Sequence, residues 1–316
     1  MWKLTTEEKG KELRAVFAET LISLMDENDK IFAMDADLAG ASGFKKIQKA
    51  HPDQFLNVGI SEANMMGLAA GMSMRGIVPF VHTFAPFVAR RSLDQIFLSG
   101  AYAGNTINIY GSDPGVCVAA NGGTHTTFED VAVMRTIPKA MVFDPADQVQ
   151  LAWLIRELAR LTGVHYIRAN RKDAVPIYAE GSAFTIGKGN IIKEGRDVLL
   201  ISMGEVLHDA LNAARELEDE GISVEVADMF TVKPLDEELI RKEAADKKLV
   251  VTFENHSIIG GLGGAVAEVM AEAGLGVPLK RVGVQDRFGQ VGTLAYLKEA
   301  FGLTKEHVKE VIQKAL

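Results

Sequence analysis

The stretch Asn57-Val-Gly-Ile-Ser-Glu-Ala-Asn-Met-Met-Gly-Leu-Ala-Ala-Gly-Met-Ser-Met-Arg75 decides how this chain is read. A short apolar run, residues 55–58, passes through Gly59-Ile60-Ser61 into a segment rich in Met, Ala and Gly. Ser61 is a good N-cap, and Glu62 falls in the first turn, where a carboxylate suits the positive end of a helix dipole. Gly67, Ala69, Ala70 and Gly71 let such a helix lie close to a neighbour. Glu62 is the only acid between Asp53 and Asp94. It is either an ordinary helix-start acid or an acid that protonates a buried ligand nitrogen.

Working outward, a strand before that helix and further strand–helix alternation predict an open α/β fold. Residues 30–35 read as a strand running into an acidic, Gly-rich loop, Ala36-Asp-Leu-Ala-Gly-Ala-Ser-Gly43. Residues 55–58, 77–82, 106–110, 140–143 and 164–168 read as further strands, with helices expected over 5–26, 89–103 and 147–161. The long loop 111–127 is rich in glycine, and Asp144-Pro-Ala-Asp147 reads as a turn and helix cap. Residues 170–196 read as a crossover linker. A second unit starts at Asp197, with strands over 198–202, 222–227, 248–254 and 280–284. The expectation is two α/β/α domains, residues 1–185 and 186–316, each a mainly parallel sheet covered by helices. In such sheets ligands bind at the carboxyl edge.

The length of 316 residues fits about two domains at ~150 residues each. Hydrophobic residues make up 47% and charged residues 24%, ordinary for a soluble protein. A net charge of −8 with no basic stripe argues against a nucleic-acid partner. The single cysteine, Cys117, excludes an internal disulfide framework and a cysteine metal cluster. The first 14 residues have no apolar signal core, and no run approaches the ~18 apolar residues of a membrane span. The expectation is a cytoplasmic protein without membrane contact. The run Gly260-Gly-Leu-Gly-Gly264 looks like a nucleotide loop, but lacks the Gly-x-Gly-x-x-Gly spacing and the acid that follows it; such glycines also serve tight turns and close packing.

With these landmarks placed, the chain resembles the second half of transketolases, from about Arg14 to the C-terminus. The resemblance rests on Gly59-Ile-Ser-Glu-Ala-Asn-Met65, Thr83-Phe-x-x-Phe87, Gly122-Gly-Thr-His125 and Glu254-x-His-Ser-Ile-Ile-Gly-Gly-Leu-Gly263, in that order. That family carries its diphosphate and metal site on another domain, in a Gly-Asp-Gly motif followed by an Asn, and no Gly-Asp-Gly occurs here. The resemblance therefore implies the small subunit of a split, two-gene transketolase, with a pyrimidine-binding domain over 1–185 and a transketolase C-terminal domain over 186–316. It implies thiamine diphosphate and Mg²⁺, held mainly by an N-terminal, diphosphate-binding partner subunit. It also implies a homodimer of this chain, an α₂β₂ particle with the partner, and phosphorylated sugars as substrates.

The same resemblance assigns roles. Glu62 matches the glutamate that bonds the cofactor's pyrimidine ring, so that the exocyclic nitrogen can take the thiazolium proton. Phe84 and Phe87 match aromatic residues that hold that ring; they also fit two core phenylalanines. Asp37 and Leu38 match a pair near the thiazolium, where Asp37 is otherwise a loop cap. His125 matches a histidine that contacts the substrate oxygen and moves protons there. Arg14, Ser42 and Arg168 match positions that bind the sugar phosphate, Ser42 to within one residue. Arg90 and Arg91 are further candidates, as is His82. Asn121 stands where the family has Asp, and Ala120 and Thr126 replace the usual acid and Gln. These substrate-facing departures point to an unusual phosphosugar or sulfosugar. Two alternatives stay open. One is a 1-deoxyxylulose-5-phosphate synthase relative, which Arg91-x-x-Asp-Gln95 resembles, or a 2-oxoacid dehydrogenase β subunit. The other is a non-catalytic assembly or regulatory subunit.

Overall fold

Apolar runs bounded by Gly, Asp and Pro become strands of two parallel sheets in the computed structural model, which describes residues 1–7 and 9–316. The chain divides into two compact units, Met1–Pro114 with Val133–Phe184, and Gly115–Ala132 with Thr185–Leu316.

In the first unit the strands are β1 (Ile31–Asp35), β2 (Phe55–Asn57), β3 (Val78–Phe84), β4 (Ile107–Ser112), β5 (Met141–Phe143) and β6 (Val164–Ala169). They lie in the order β5-β6-β4-β3-β1-β2, and every pairing within this set is parallel. β4 and β6 are buried along their whole length. Strands buried on both faces need helices on both, and this is why they read as continuous apolar runs rather than alternating ones. The register brings Asp35 opposite both Asn57 and His82, and Phe84 opposite Ser112. Polar residues at the ends of four strands thus share one carboxyl edge.

The second unit holds β7 (Asn190–Lys193), β8 (Val198–Ser202), β9 (Val224–Asp228), the short β10 (Thr231–Lys233), β11 (Leu249–Ser257) and β12 (Leu279–Val284). Its five-stranded sheet runs β12-β11-β8-β9-β7, parallel except for β7 against β9. β7 lies inside the segment expected to be linker; its four residues, Asn190-Ile-Ile-Lys193, put one polar and one apolar side chain on each face and so show no alternation to read.

Two further expectations are corrected. The first helix is Leu13–Glu27, not 5–26, a span that includes Glu8, outside the described residues. Residues before it instead pair antiparallel with a later segment, through the bridges Leu4–Tyr178 and Glu12–Asp173. Gly10 permits this, because a Cβ there would lie 2.0 Å from the Ala174 carbonyl oxygen. The helix expected over 89–103 breaks at the buried Ser92, whose hydroxyl donates to the Val88 and Phe87 carbonyls at 3.0 and 3.3 Å. Helices Ala85–Arg91 and Leu93–Gln95 and a π-helical turn, Ile96–Tyr102, replace it. The loop 115–132 packs in the second unit. There Val116 N–H donates to Asn255 Oδ1 at 3.0 Å and Phe128 meets Phe301 at 5.2 Å between ring centroids.

The glycine run at 260–264 is already filled. The Glu254 carboxylate accepts the Leu262 and Gly263 amides at 2.7 and 2.8 Å, taking the helix N-terminus that a phosphate would use. A Cβ at Gly261 would stand 2.1 Å from Glu254 Oε2, which explains the glycine.

His165, on β6, is fully buried and bonds Asn108 Oδ1 through Nδ1 at 2.7 Å. Burial pushes its pKa down from 6.5 to about 4. The unfolded chain therefore takes up this proton first as the solution is acidified. Stability from this site is whole above pH about 6.5 and is lost progressively toward pH 4, by up to about 3 kcal/mol. Urea midpoints of wild type and His165→Gln, taken across that window, should converge as pH falls. A wild-type acid slope unchanged by the substitution would assign it to other groups.

Candidate active site

Along the carboxyl edge of the first unit's sheet, the sequence places a continuous chain of polar and aromatic contacts. It starts at Asp35, the last residue of β1. Its Oδ2 accepts from Ser42 Oγ at 3.1 Å and from His82 Nδ1 at 2.7 Å, and Oδ1 accepts the Leu38 amide in a short bond. His82 Nε2 meets Ser112 Oγ at 2.8 Å. A carboxylate only accepts, so His82 donates to Asp35 from Nδ1. The rings of Phe44 and Tyr110 flank the imidazole at 5.3 and 5.0 Å. The Asp–His–Ser order is that of a hydrolytic triad. All three side chains, however, are fully buried, so no substrate reaches Ser112. The network instead ties together the ends of β1, β3 and β4.

What it holds is the loop carrying Asp37 and Leu38. Asp37 is exposed and adopts φ +64°, a conformation that needs support in a residue with a Cβ. The support comes from the Leu38 amide bond to Asp35 and from Asn57, whose Oδ1 accepts the Asp37 amide at 3.1 Å and whose Nδ2 donates to Asp37 Oδ1 at 3.2 Å. Asn57 Oδ1 also accepts the Gly59 amide at 2.9 Å, so one side chain links the Asp37 loop to the approach to Glu62. Ser61 does not cap the Glu62–Ser73 helix with its side chain; its hydroxyl donates to the Val58 carbonyl at 2.8 Å.

Glu62 opens that helix with its side chain 5% exposed. Its Oε1 accepts Arg91 Nη1 at 2.7 Å. The Arg91 guanidinium lies 3.8 Å from the Phe87 ring centroid. Phe84 ends β3 and Phe87 sits one helical turn on, with Pro86 setting the first turn. Their centroids are 6.0 Å apart and their planes tilted by 51°. Arg171 stands 4.8 Å from the Phe84 centroid and ion-pairs with the buried Asp113. Burial pushes the Asp113 carboxyl above its usual range, against the pull of Arg171. Arg14 is half-buried and held by Glu12 at 2.8 and 2.9 Å, with Nη1 3.5 Å from the Ala41 carbonyl.

The edge thus gathers Arg14, Asp37, Leu38, Ser42, Glu62, Phe84 and Phe87. Arg168 is different. It is fully buried and spends Nη1 on Asp144 Oδ2 at 2.6 Å, so this conformation does not offer it to a sugar phosphate. Its position in a wholly buried strand is the physical reason. Arg171, three residues on and read only as linker, is the guanidinium beside Phe84. Ser42 has its hydroxyl donated to Asp35 rather than turned outward. Asp35 was the unread partner; a second acid two residues before Asp37, at a strand end, was the available signal.

Asn121 and His125 belong to the second unit. Asn121 and Ala120 are exposed and His125 half-buried, with Nδ1 2.9 Å from Thr124 Oγ1. Thr126 is buried and donates to the Gly122 carbonyl at 3.0 Å, so this departure closes the loop rather than facing a substrate. Val291 and the Gly289 carbonyl press on Gly122 and Gly123.

Among the described residues no three His, Cys, Asp or Glu side chains are grouped to hold a metal ion. No helix among them is long and apolar enough to cross a membrane.

A buried helix-start carboxylate beside an aromatic pair, at the carboxyl edge of a parallel sheet and followed by a second, smaller sheet, defines a transketolase-type fold. The chain belongs to the transketolase family. The family model for the pyrimidine-binding domain of transketolase matches residues 9–175, and that for the transketolase C-terminal domain residues 187–308. It is 45% identical, over 96% of its own length and 93% of the relative's, to the 6-deoxy-6-sulfo-D-fructose transketolase subunit SqwH of Clostridium sp. (strain MSTE9). It is 39% identical to a putative transketolase C-terminal section of Methanocaldococcus jannaschii, over 100% of this chain and 99% of that one. Among solved structures it resembles a split-gene transketolase described as an inactive β4 tetramer, with a TM-score of 0.88 at 39% identity, covering 97% of this chain and 98% of that one.

Proposed function

We propose that the chain is the pyrimidine-binding, C-terminal subunit of a split transketolase. With thiamine diphosphate and Mg²⁺ it moves a two-carbon ketol unit from an anionic ketose to an aldose phosphate in cytoplasmic carbohydrate metabolism. The observation that carries this reading is Glu62, a buried carboxylate paired with a planar cation that lies on Phe87. The pair fits an aminopyrimidine in shape and in charge. When bound, the cofactor supplies a nucleophilic carbon that accepts the two-carbon unit.

The remaining roles fall to this chain's own groups. Glu62 holds a proton at the ring nitrogen through a charge-assisted bond in a water-poor setting. Phe84 and Phe87 grip the ring faces, worth ~0.5–1.5 kcal/mol beyond area. Asp37 faces the positive ring, with Leu38 beside it. Arg14 receives the anionic end of the sugar, and Asn121 and His125 contact its oxygens. On this reading the diphosphate and metal belong to an N-terminal partner subunit, in an α₂β₂ particle built on a homodimer of this chain; that no Gly-Asp-Gly occurs in this sequence supports it. The 45%-identical relative, a sulfofructose transketolase subunit by name, supports a sulfosugar among the ketoses.

The test is calorimetry with thiamine diphosphate and Mg²⁺, on the chain alone and mixed with the diphosphate-domain subunit from the same source. Tight binding in the mixture only, with two-carbon transfer, is expected. Tight binding by this chain alone overturns the shared site. Release of CO₂ from pyruvate instead of ketol transfer moves the reading to the synthase or dehydrogenase alternative.

A further inference from the structure

The guanidinium of Arg91 makes the two contacts that the proposed cofactor ring needs. It donates to Glu62 Oε1 at 2.7 Å and lies 3.8 Å from the Phe87 centroid. A guanidinium is a flat cation with N–H groups in its plane. An aminopyrimidine protonated on its ring nitrogen is a flat amidinium with the same edge of donors. One carboxylate oxygen and one ring face cannot serve both at once.

We propose that Arg91 occupies the ring subsite in the cofactor-free chain and is displaced when the cofactor enters. The proposal rests on the reading of Glu62 and Phe87 as the pyrimidine site. Without the cofactor, Glu62 would be a buried carboxylate lacking a cation, which is costly. Arg91 removes that penalty and keeps the aromatic face covered. Its exit is easy: the side chain is 47% exposed and sits at the last residue of the Ala85–Arg91 helix, so rotation about its own bonds carries it into solvent. The ring then binds at an apparent affinity reduced by the fraction of chains with the subsite open. This goes beyond a solvated helix face or a sugar-phosphate contact, the two roles the sequence offers Arg91. It predicts that removing a charged residue from the site strengthens binding.

The experiment uses the full chain with thiamine, which carries the ring but no diphosphate, and follows binding by calorimetry and the Arg91 Nε–H signal by NMR, assigned by its loss in Arg91→Lys. In the free wild type that signal should be protected, and Glu62→Gln should release it. Saturating thiamine should release it as well. Arg91→Ala should bind thiamine about three- to tenfold more tightly, and Arg91→Met, which keeps Phe87 covered, should bind less tightly than Arg91→Ala. If Arg91→Ala binds no more tightly and the wild-type signal stays protected at saturation, the plug is wrong while the cofactor site stands. If neither form takes up thiamine at millimolar concentration, with the diphosphate-domain subunit present as well as without it, the pyrimidine reading of Glu62 fails and the proposal goes with it.

Discussion

Glu62→Gln is expected to lower two-carbon transfer by the reconstituted complex about 10²–10⁴-fold, the range for loss of a positioned acid–base group. The amide keeps the shape of the carboxyl but neither carries a charge nor exchanges a proton at neutral pH. The side chain is almost wholly buried, so water cannot take over its bond to a ring nitrogen. It is also the only acid between Asp53 and Asp94, so no neighbour in sequence substitutes for it. The fold should hardly notice. Arg91, the partner left behind, is half-exposed and finds water, so the urea midpoint should stay close to that of the wild type. Rates measured with the partner subunit and saturating cofactor separate the effect from weak binding. Unchanged turnover would sink the catalytic reading and leave an assembly subunit that keeps the fold.

The parts of this architecture that the sequence made legible are those set by local pattern. The runs at residues 31–35, 107–112 and 198–202 are strands buried on both sides, and their short, continuous apolar character announces it. The helix begun at Glu62 was equally plain. What stayed hidden depends on long-range partners. Nothing local to Leu4 says that it bridges Tyr178, so the charged N-terminal segment passes for helix. Arg168 looks like any phosphate-binding arginine until Asp144 is found beside it, 24 positions away in sequence. Asp35 reads only as the end of a strand, although it organises Leu38, Ser42 and His82 at once. A motif names the residues that face a ligand. The groups that hold them in place lie on neighbouring strands, and only the sheet order puts them together.

Asp147→Ala should destabilise the chain by about 3 kcal/mol or more. Its Oδ1 accepts the amides of Val149 and Gln150 at 3.0 and 2.9 Å, capping the helix Gln148–Leu158. Its Oδ2 accepts the amides of Ile177 and Tyr178, both at 2.8 Å. Truncation loses a cap, worth about 1–2 kcal/mol, and strands two buried amides at about 1–3 kcal/mol each. Asn should recover part of the loss, since its oxygen can serve one pair of amides but its NH₂ then faces the other. The consequence reaches the site. Residues 172–179 are the rail on which the N-terminal segment lies, through Thr5 N–H to the Ile177 carbonyl and Leu13 N–H to the Lys172 carbonyl, both at 3.0 Å. Lys11 N–H is bonded to Gln148, the first residue of the capped helix. Arg14 N–H reaches the Arg171 carbonyl at 3.4 Å, so the same rail places both guanidinium groups. Asp147→Ala should therefore speed amide exchange at residues 3–7, 9–14 and 171–179 ahead of the sheet, and weaken capture of the sugar's anionic end more than uptake of the cofactor. A urea-measured loss below about 1 kcal/mol would mean that water replaces the carboxylate at these amides, and uniform exchange would mean that the rail opens only with the whole unit.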